Sequence, residues 1–393
     1  MTRAYRAFAP AVTALPADCA SDAPATRATH FAGVDAARVF AACGVVWIHL
    51  VARTPYEHWN VLGRFGTPFF AAVGLFFLFF RPPGKAVPAW RTLVADRFRR
   101  LLLPFFFWFA VYAVLVVPAA GWRAVNHLWF LPFLFTSMVC AWPLVRVLQV
   151  FEFLRLPCAA LLIVAGMLCA WFDLPLPQAG SEGWVLAHHV WAFVPATLWG
   201  GACGLLLSGA RGLDRYQVAL APVGAMLLAG GIATLLERGS TYTVARSAAG
   251  VGWMLIALGL PRFRGTRVLA VVGRWGYGVY LIHPCVIIAG NWLARRAGWA
   301  DSAGVMAVKF AATGAVSILV TAVLQRSGAT AWLIPTRRIR SLPETAWSAT
   351  NSSPGPLLRP PGGSRSGYSP FQGPIRRCSS AAHAPLAGGG CRG

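Results

Sequence analysis

The sequence predicts an all-α protein, a polytopic membrane bundle of about ten transmembrane helices with both termini in the cytoplasm. Apolar residues make up 57% of the 393 residues, and charged residues make up only 12%, against about 25% in an ordinary soluble protein. This apolar surface is more than one soluble core can hide, so a soluble enzyme is excluded.

The chain divides into about ten apolar segments close to the roughly 20 residues that a helix needs to cross a bilayer. Each must be helical, because unpaired backbone groups are not tolerated in lipid. The seventh and eighth segments are rich in Gly and Ala, which predicts close packing against neighbouring helices. The ten segments run approximately over residues 35–52, 64–80, 101–118, 128–145, 156–172, 190–208, 217–236, 245–260, 268–290 and 305–324.

Basic residues set the predicted orientation. The 35 Lys and Arg residues outnumber the 12 Asp and Glu residues, giving a net charge of +23. They lie in short runs between apolar segments, which is typical of cytoplasmic membrane loops and not of nucleic-acid binding. If the N-terminus is inside, most of the basic residues fall on the cytoplasmic side. We therefore predict that both termini are cytoplasmic. Arg246 is then one of the few basic residues of the outer loops.

The two ends of the chain differ in composition from the centre. Residues 1–33 predict a flexible cytoplasmic arm, 34–325 the transmembrane domain, and 326–393 a disordered cytoplasmic tail of Pro, Gly, Ser and Arg. The nine cysteines include no C-x-x-C pair. We therefore expect neither a disulfide framework nor a metal site.

Asp35, Arg38 and His49 are polar residues within the first predicted span. Arg38 and His49 are eleven residues apart, about three helical turns, and so share one face roughly 16 Å apart along the axis. Asp35 lies one turn before Arg38 and can pair with it. Polar groups at this depth are costly and indicate function, although Arg38 could snorkel to the interface and His49 could bond to a neighbouring helix.

Arg97 and Arg100 precede the third span, on the cytoplasmic side. Three residues apart on a helix, they would lie on one side. Their guanidinium forks suit phosphate oxygens, which predicts a site for a phosphorylated cytoplasmic ligand. The alternative is that they are ordinary basic residues of an inner loop.

Two further polar segments lie in the fourth and ninth spans. His127 and Trp129 stand at the outer end of the fourth, where they indicate either a site or an interfacial anchor. The ninth enters the membrane near residue 268, which places His283 about 22 Å along it, near the level of His49. His283 could alternatively bond to a backbone carbonyl opened by the following proline.

These motifs, in this order, resemble the acyltransferase 3 family of bacterial membrane acyltransferases over about residues 33–325. Val73 stands where many relatives have a serine in the second span, and Gly276 stands where many have a serine in the ninth. The matching motifs are D-x-x-R and R-x10-H at Asp35, Arg38 and His49, R-x-x-R at Arg97 and Arg100, W-F-L beginning at Trp129, and Y-L-x-H from Tyr280 to His283.

The resemblance implies transfer of an acyl group, usually acetyl from acetyl-CoA, to a hydroxyl of a glycan or other exported molecule at the bacterial inner membrane. His49, kept neutral by burial, would be the general base, and Arg38 would orient the donor or stabilise charge. Arg97 and Arg100 would bind the CoA phosphates. The acceptor side would be formed by His127, Trp129, Tyr280 and His283. The expected partners are the lipid bilayer and a hydroxyl acceptor, with no nucleic acid and no metal.

Two other functions remain open. A transporter or flippase for a lipid-linked glycan would also place His and Arg along its substrate path, but it would not consume acetyl-CoA. A degenerate, non-catalytic relative is favoured by Val73 and Gly276, and it would tolerate substitution of His49 and Arg38.

Overall fold

Every regular element that the described residues form is a helix, which confirms the all-α prediction. The chain divides into two units, residues 1–337 and 338–393, and the described residues all lie in the first. The predicted arm and tail therefore fall almost entirely outside them. The computed structural model describes residues 31–52, 54–81, 86–121, 125–172, 190–208, 213–260, 269, 272–273, 275–327 and 330–334.

Twelve α-helices are numbered here in chain order over these ranges. They are α1 Ala32–Val51, α2 Gly66–Phe79, α3 Trp90–Arg97, α4 Leu103–Leu115, α5 Val117–Ala120, α6 Phe130–Val150, α7 Arg155–Trp171, α8 Val194–Leu207, α9 Leu213–Arg238, α10 Thr243–Gly259, α11 Gly276–Arg296 and α12 Ala303–Arg326. Short 3₁₀ helices occur at Glu57–Gly63, Asn126–Trp129, Glu152–Leu154 and Ala331–Leu333, and a π-helical segment, Phe98–Leu102, joins α3 to α4.

All ten predicted spans coincide with helical segments. Within the described residues, 8 helical stretches are long and apolar enough to cross a membrane, and α8 and α10 are shorter apolar helices. Exposed apolar side chains cover the outside, among them Val114, Trp171 and Leu319. Such a surface is covered in a bilayer and would be a liability in water. The protein is an integral multi-pass membrane protein.

Small residues allow α9 and α10 to pack closely, as the Gly- and Ala-rich segments predict. A Cβ on Gly224 of α9 would lie 2.5 Å from the carbonyl oxygen of Gly252 in α10, and a Cβ on Gly252 would lie 2.6 Å from that of Gly224. The two backbones thus meet at a point that admits no side chain on either helix.

α2 lies inside the bundle, between α8, α10, α1 and α6. Its fully buried Phe69 and Phe76 belong to an apolar cluster shared with α1 and α10. α1 in turn packs along α2, α11, α12 and the 3₁₀ helix Glu57–Gly63. The first span, with its Asp, Arg and His, is therefore an interior helix rather than a lipid-facing one.

One positional prediction is wrong. α11 begins at Gly276, and His283 lies about 10 Å from that start. Most residues between 261 and 274 lie outside the described part of the chain, so the predicted entry of the ninth span near residue 268 stays a prediction. Arg246 belongs to α10 and is only 7% exposed, so it is a buried residue of the bundle and not a loop residue.

Candidate active site

Three histidines from separate segments meet inside the bundle. The ring centroids of His49 in α1 and His283 in α11 lie 5.2 Å apart. His127, in the 3₁₀ helix before α6, lies 5.7 Å from His283 and 6.1 Å from His49. The predicted common level of His49 and His283 is confirmed. We call these three residues the histidine cluster.

His283 is the innermost member of the histidine cluster, with no exposed surface. Its Nδ1 lies 3.1 Å from the carbonyl oxygen of Val279, one turn earlier in α11. A carbonyl only accepts, so in the neutral ring Nδ1 carries the hydrogen and Nε2 carries the lone pair. Among the described residues Nε2 has no hydrogen-bond partner. Nε2 is therefore a buried acceptor that makes no hydrogen bond with the described part of the chain.

Two tyrosines hold His127 in place. The Tyr280 hydroxyl donates to the backbone carbonyl of His127. The Tyr112 ring in α4 stands edge-on to the His127 ring, with centroids 4.9 Å apart, and its hydroxyl donates to the Leu281 carbonyl at 2.8 Å. Tyr112 belongs to none of the motifs. Its signal in the sequence is the one tyrosine within the Phe-rich α4.

His49 is exposed, whereas His283 is buried and His127 nearly so. The expectation that His49 is buried is therefore wrong, because the side chain reaches the open edge of the histidine cluster. Exposure is what a residue needs if it is to meet a substrate. A reacting group bound beside His49 would also lie near the two less accessible imidazoles.

Trp129 and Arg246 both contact the ring of Phe193. Trp129 stacks on Phe193, with ring centroids 5.1 Å apart. The guanidinium carbon of Arg246 lies 4.9 Å from the centroid of the same Phe193 ring, a cation–π contact. Sequence reasoning missed Arg246 because it was counted as a loop charge. Its signal was an ionisable residue at the edge of an apolar segment.

Asp35 and Arg38 form the ion pair that their spacing predicts. Gly276, the first residue of α11, packs beside them: a Cβ there would lie 3.5 Å from the Arg38 carbonyl oxygen, in ordinary contact. A serine would fit at 276, so the position is not closed by packing. Val73, the other departure from the family pattern, is buried in an apolar cluster.

Arg97 and Arg100 lie at the junction of α3 and the π-helical segment. Nε of Arg100 is 2.7 Å from Oδ1 of Asp96, and Nε of Arg97 is 3.9 Å from Oδ2 of the same carboxylate. The wider π turn changes the angle between the two side chains from that of a regular α-helix. The shared carboxylate nevertheless draws both guanidinium groups toward one point.

The structure thus collects the predicted site residues into two groups. His49, His127, His283 and Tyr280 form one, with Trp129 two residues from His127. Arg38 is paired with Asp35, and Arg97 and Arg100 with Asp96. α11 touches both groups: Gly276 packs at Arg38, the Tyr277 hydroxyl donates to the Arg100 carbonyl at 3.1 Å, and Tyr280 and His283 reach the histidine cluster. No group of three or more His, Cys, Asp or Glu side chains in the described ranges could hold a metal ion.

Membrane-spanning helices surround the histidine cluster, and α11 contacts both this cluster and the paired arginines, so the chain is a polytopic membrane protein. A family model described as an acyltransferase domain, that of the acyltransferase 3 family, matches residues 31–326. The chain belongs to this family and is a membrane acyltransferase. No curated protein and no solved structure matches it.

Proposed function

We propose that the protein transfers an acetyl group from acetyl-CoA to a hydroxyl of a cell-surface or exported glycan, at the bacterial inner membrane. The observation that carries this proposal is the meeting of His49, His127 and His283 in a chain of the acyltransferase 3 family. The family supplies acyl transfer in general. The histidine cluster supplies the acid–base group that an alcohol acceptor requires.

An alcohol becomes a competent nucleophile when a base removes its proton in the transition state. We assign that role to His49, the exposed member of the histidine cluster. The acceptor oxygen attacks the thioester carbonyl, the carbon–sulfur bond breaks, and the proton held by His49 passes to the departing CoA sulfur. The products are the acyl ester and free CoA, so no further reactant is needed.

His283 supports His49 from the buried side. Its Nδ1 is committed to the Val279 carbonyl, which fixes the ring and leaves the Nε2 lone pair without a hydrogen bond in the described part of the chain. A base that is itself oriented by a third group is the general arrangement for activating a hydroxyl. His127, Trp129 and Tyr280 complete the acceptor side, with His127 held by the Tyr280 hydroxyl.

We assign binding of the acyl donor to Arg97, Arg100 and Arg38. CoA carries several phosphates, and Arg97 and Arg100 converge on one side chain at the predicted cytoplasmic end of the third span. Arg38, turned by its ion pair with Asp35, would orient the donor between this end and the histidine cluster.

The test measures the amount of base-labile acetate on surface glycans. A deletion strain is complemented with the wild-type gene or with His49→Ala, at equal membrane abundance. We expect the wild type alone to restore acetate, because the variant has no base. Restoration by both would show that His49 is not required, as for a non-catalytic relative. Unchanged acetate throughout, with no acetyl-CoA consumed by purified protein, would favour transport.

A further inference from the structure

The π-helical segment Phe98–Leu102 has an identifiable cause in the sequence. In an α-helix the carbonyl of residue 100 would accept from the N–H of residue 104. Residue 104 is a proline, which has no N–H and whose ring crowds the carbonyl four residues earlier. The helix widens instead, and the Leu103 N–H bonds back to the Phe98 carbonyl, five residues away.

Tyr277 supplies the donor that Pro104 removes. Its hydroxyl donates to the Arg100 carbonyl oxygen at 3.1 Å, across 177 residues of sequence. A buried carbonyl without a partner is costly, so this bond stabilises the wide turn. The π turn is therefore held from outside its own helix, by the second residue of α11.

Arg100 is held at its side chain as well. Its Nε is 2.7 Å from Oδ1 of Asp96, which lies in the last turn of α3. Asp96 fixes one edge of the guanidinium, and Tyr277 fixes the backbone from which the side chain projects. The two remaining guanidinium nitrogens are the donors with which an arginine binds a phosphate.

We propose that Tyr277 is a positioning residue for the acyl donor: its hydroxyl sets the Arg97–Arg100 turn so that these arginines bind the phosphates of the acyl-CoA. This inference rests on the proposed function. A second tyrosine of α11 makes the same kind of bond: three residues later, the Tyr280 hydroxyl donates to the His127 carbonyl. One helix thus fixes the donor arginines at its first turn and the acyl-transfer histidines at its second.

The variant Tyr277→Phe keeps the ring and removes only the hydroxyl. We expect KM for acetyl-CoA to rise about five- to tenfold, the scale of one net hydrogen bond, while kcat changes less than twofold. With S-acetylpantetheine, which carries no phosphate, the variant and the wild type should have the same KM. A merely structural defect would raise KM for both donors or lower kcat.

Thr321→Val is the matched control. It removes a fully buried hydroxyl that donates to the Ser317 carbonyl at 2.7 Å in α12, on a side chain that packs against Gly278 of α11. It therefore disturbs the same helix without touching either arginine. We expect wild-type KM values for both donors.

A double-variant cycle provides a second readout. Arg100→Gln should raise KM for acetyl-CoA, and adding Tyr277→Phe should raise it no further, because the tyrosine acts through that arginine. Additive effects would overturn the inference, as would an unchanged KM in Tyr277→Phe while the wild type turns over acetyl-CoA. A wild type that does not consume acetyl-CoA would overturn the proposed function itself, and the inference with it.

Discussion

At the scale of single residues, the histidine cluster combines an exposed imidazole with a buried one. His49 can meet a substrate, whereas His283 is enclosed and anchored through Nδ1 to Val279. Groups that act as a unit show non-additive effects when they are removed. We therefore expect His49→Ala and His283→Ala each to lower kcat about 10²- to 10⁴-fold, and the double variant to be no worse than the poorer single one.

The measurement is acetyl-CoA turnover by purified protein at saturating donor, with an acceptor fraction from the native surface. KM for acetyl-CoA should stay near the wild-type value in all three variants, because the donor arginines are untouched. If the double variant loses the product of the two single effects, the histidines act independently and the support assigned to His283 is wrong.

Tyr280 tests the acceptor side through a single hydroxyl. Tyr280→Phe removes the bond to the His127 carbonyl but keeps the buried ring. We expect kcat to fall about tenfold, since the loss of one buried hydrogen bond loosens His127, with KM for acetyl-CoA unchanged. Tyr216→Phe, at an exposed tyrosine of α9, is the control and should behave as the wild type. A rise in donor KM alone would place Tyr280 with the donor instead.

At the scale of elements, α1 and α11 form the frame of the site, and their contact depends on small residues. A Cβ on Gly273, just before α11, would collide with the Asp35 carbonyl oxygen, whereas a Cβ on Gly276 would make an ordinary contact at 3.5 Å from the Arg38 carbonyl. The first position is closed by a backbone that cannot move aside, and the second is open.

These two glycines give opposite expectations for stability. Gly273→Ala should destabilise the protein by about 1–3 kcal/mol, the cost of overpacking. Gly276→Ala should leave stability unchanged or raise it by up to about 1 kcal/mol, because alanine favours the helix. Thermal unfolding in detergent compares them directly. Equal losses in both variants would show that the backbones of α1 and α11 do not approach as the structure has them.

The helices themselves could be predicted from hydropathy, but the arrangement of the side chains could not. Apolar length alone located all ten segments, because a span must be helical in lipid. The entry of the ninth span near residue 268 stays a prediction, because most residues between 261 and 274 lie outside the described part of the chain. The pairing of His49 with His283 needed lateral packing, which spacing along one helix does not contain. The exposure of His49 and the burial of Arg246 were missed for the same reason.

At the scale of the whole molecule, the two groups of site residues lie toward opposite ends of the span. Arg38 is near the start of α1 and His49 is near its end. In the predicted orientation the arginines face the cytoplasm, where acetyl-CoA is made, and the histidine cluster lies in the outer half. The direction of the protein in the membrane therefore decides whether the donor and the acceptor meet the correct groups.

Reporter fusions test this orientation. With the N-terminus inside, the loop between α11 and α12 lies outside, and the segment after α12 lies inside. Alkaline phosphatase joined after Gly298 should be active, whereas the same enzyme joined after Leu333 should be inactive and a fluorescent protein there should be bright. These two positions flank α12 alone, so they control for each other. The reversed pattern would put the histidine cluster at the cytoplasmic end and the arginines outside, where no acyl-CoA is available, and would contradict the donor assignment of Arg97 and Arg100.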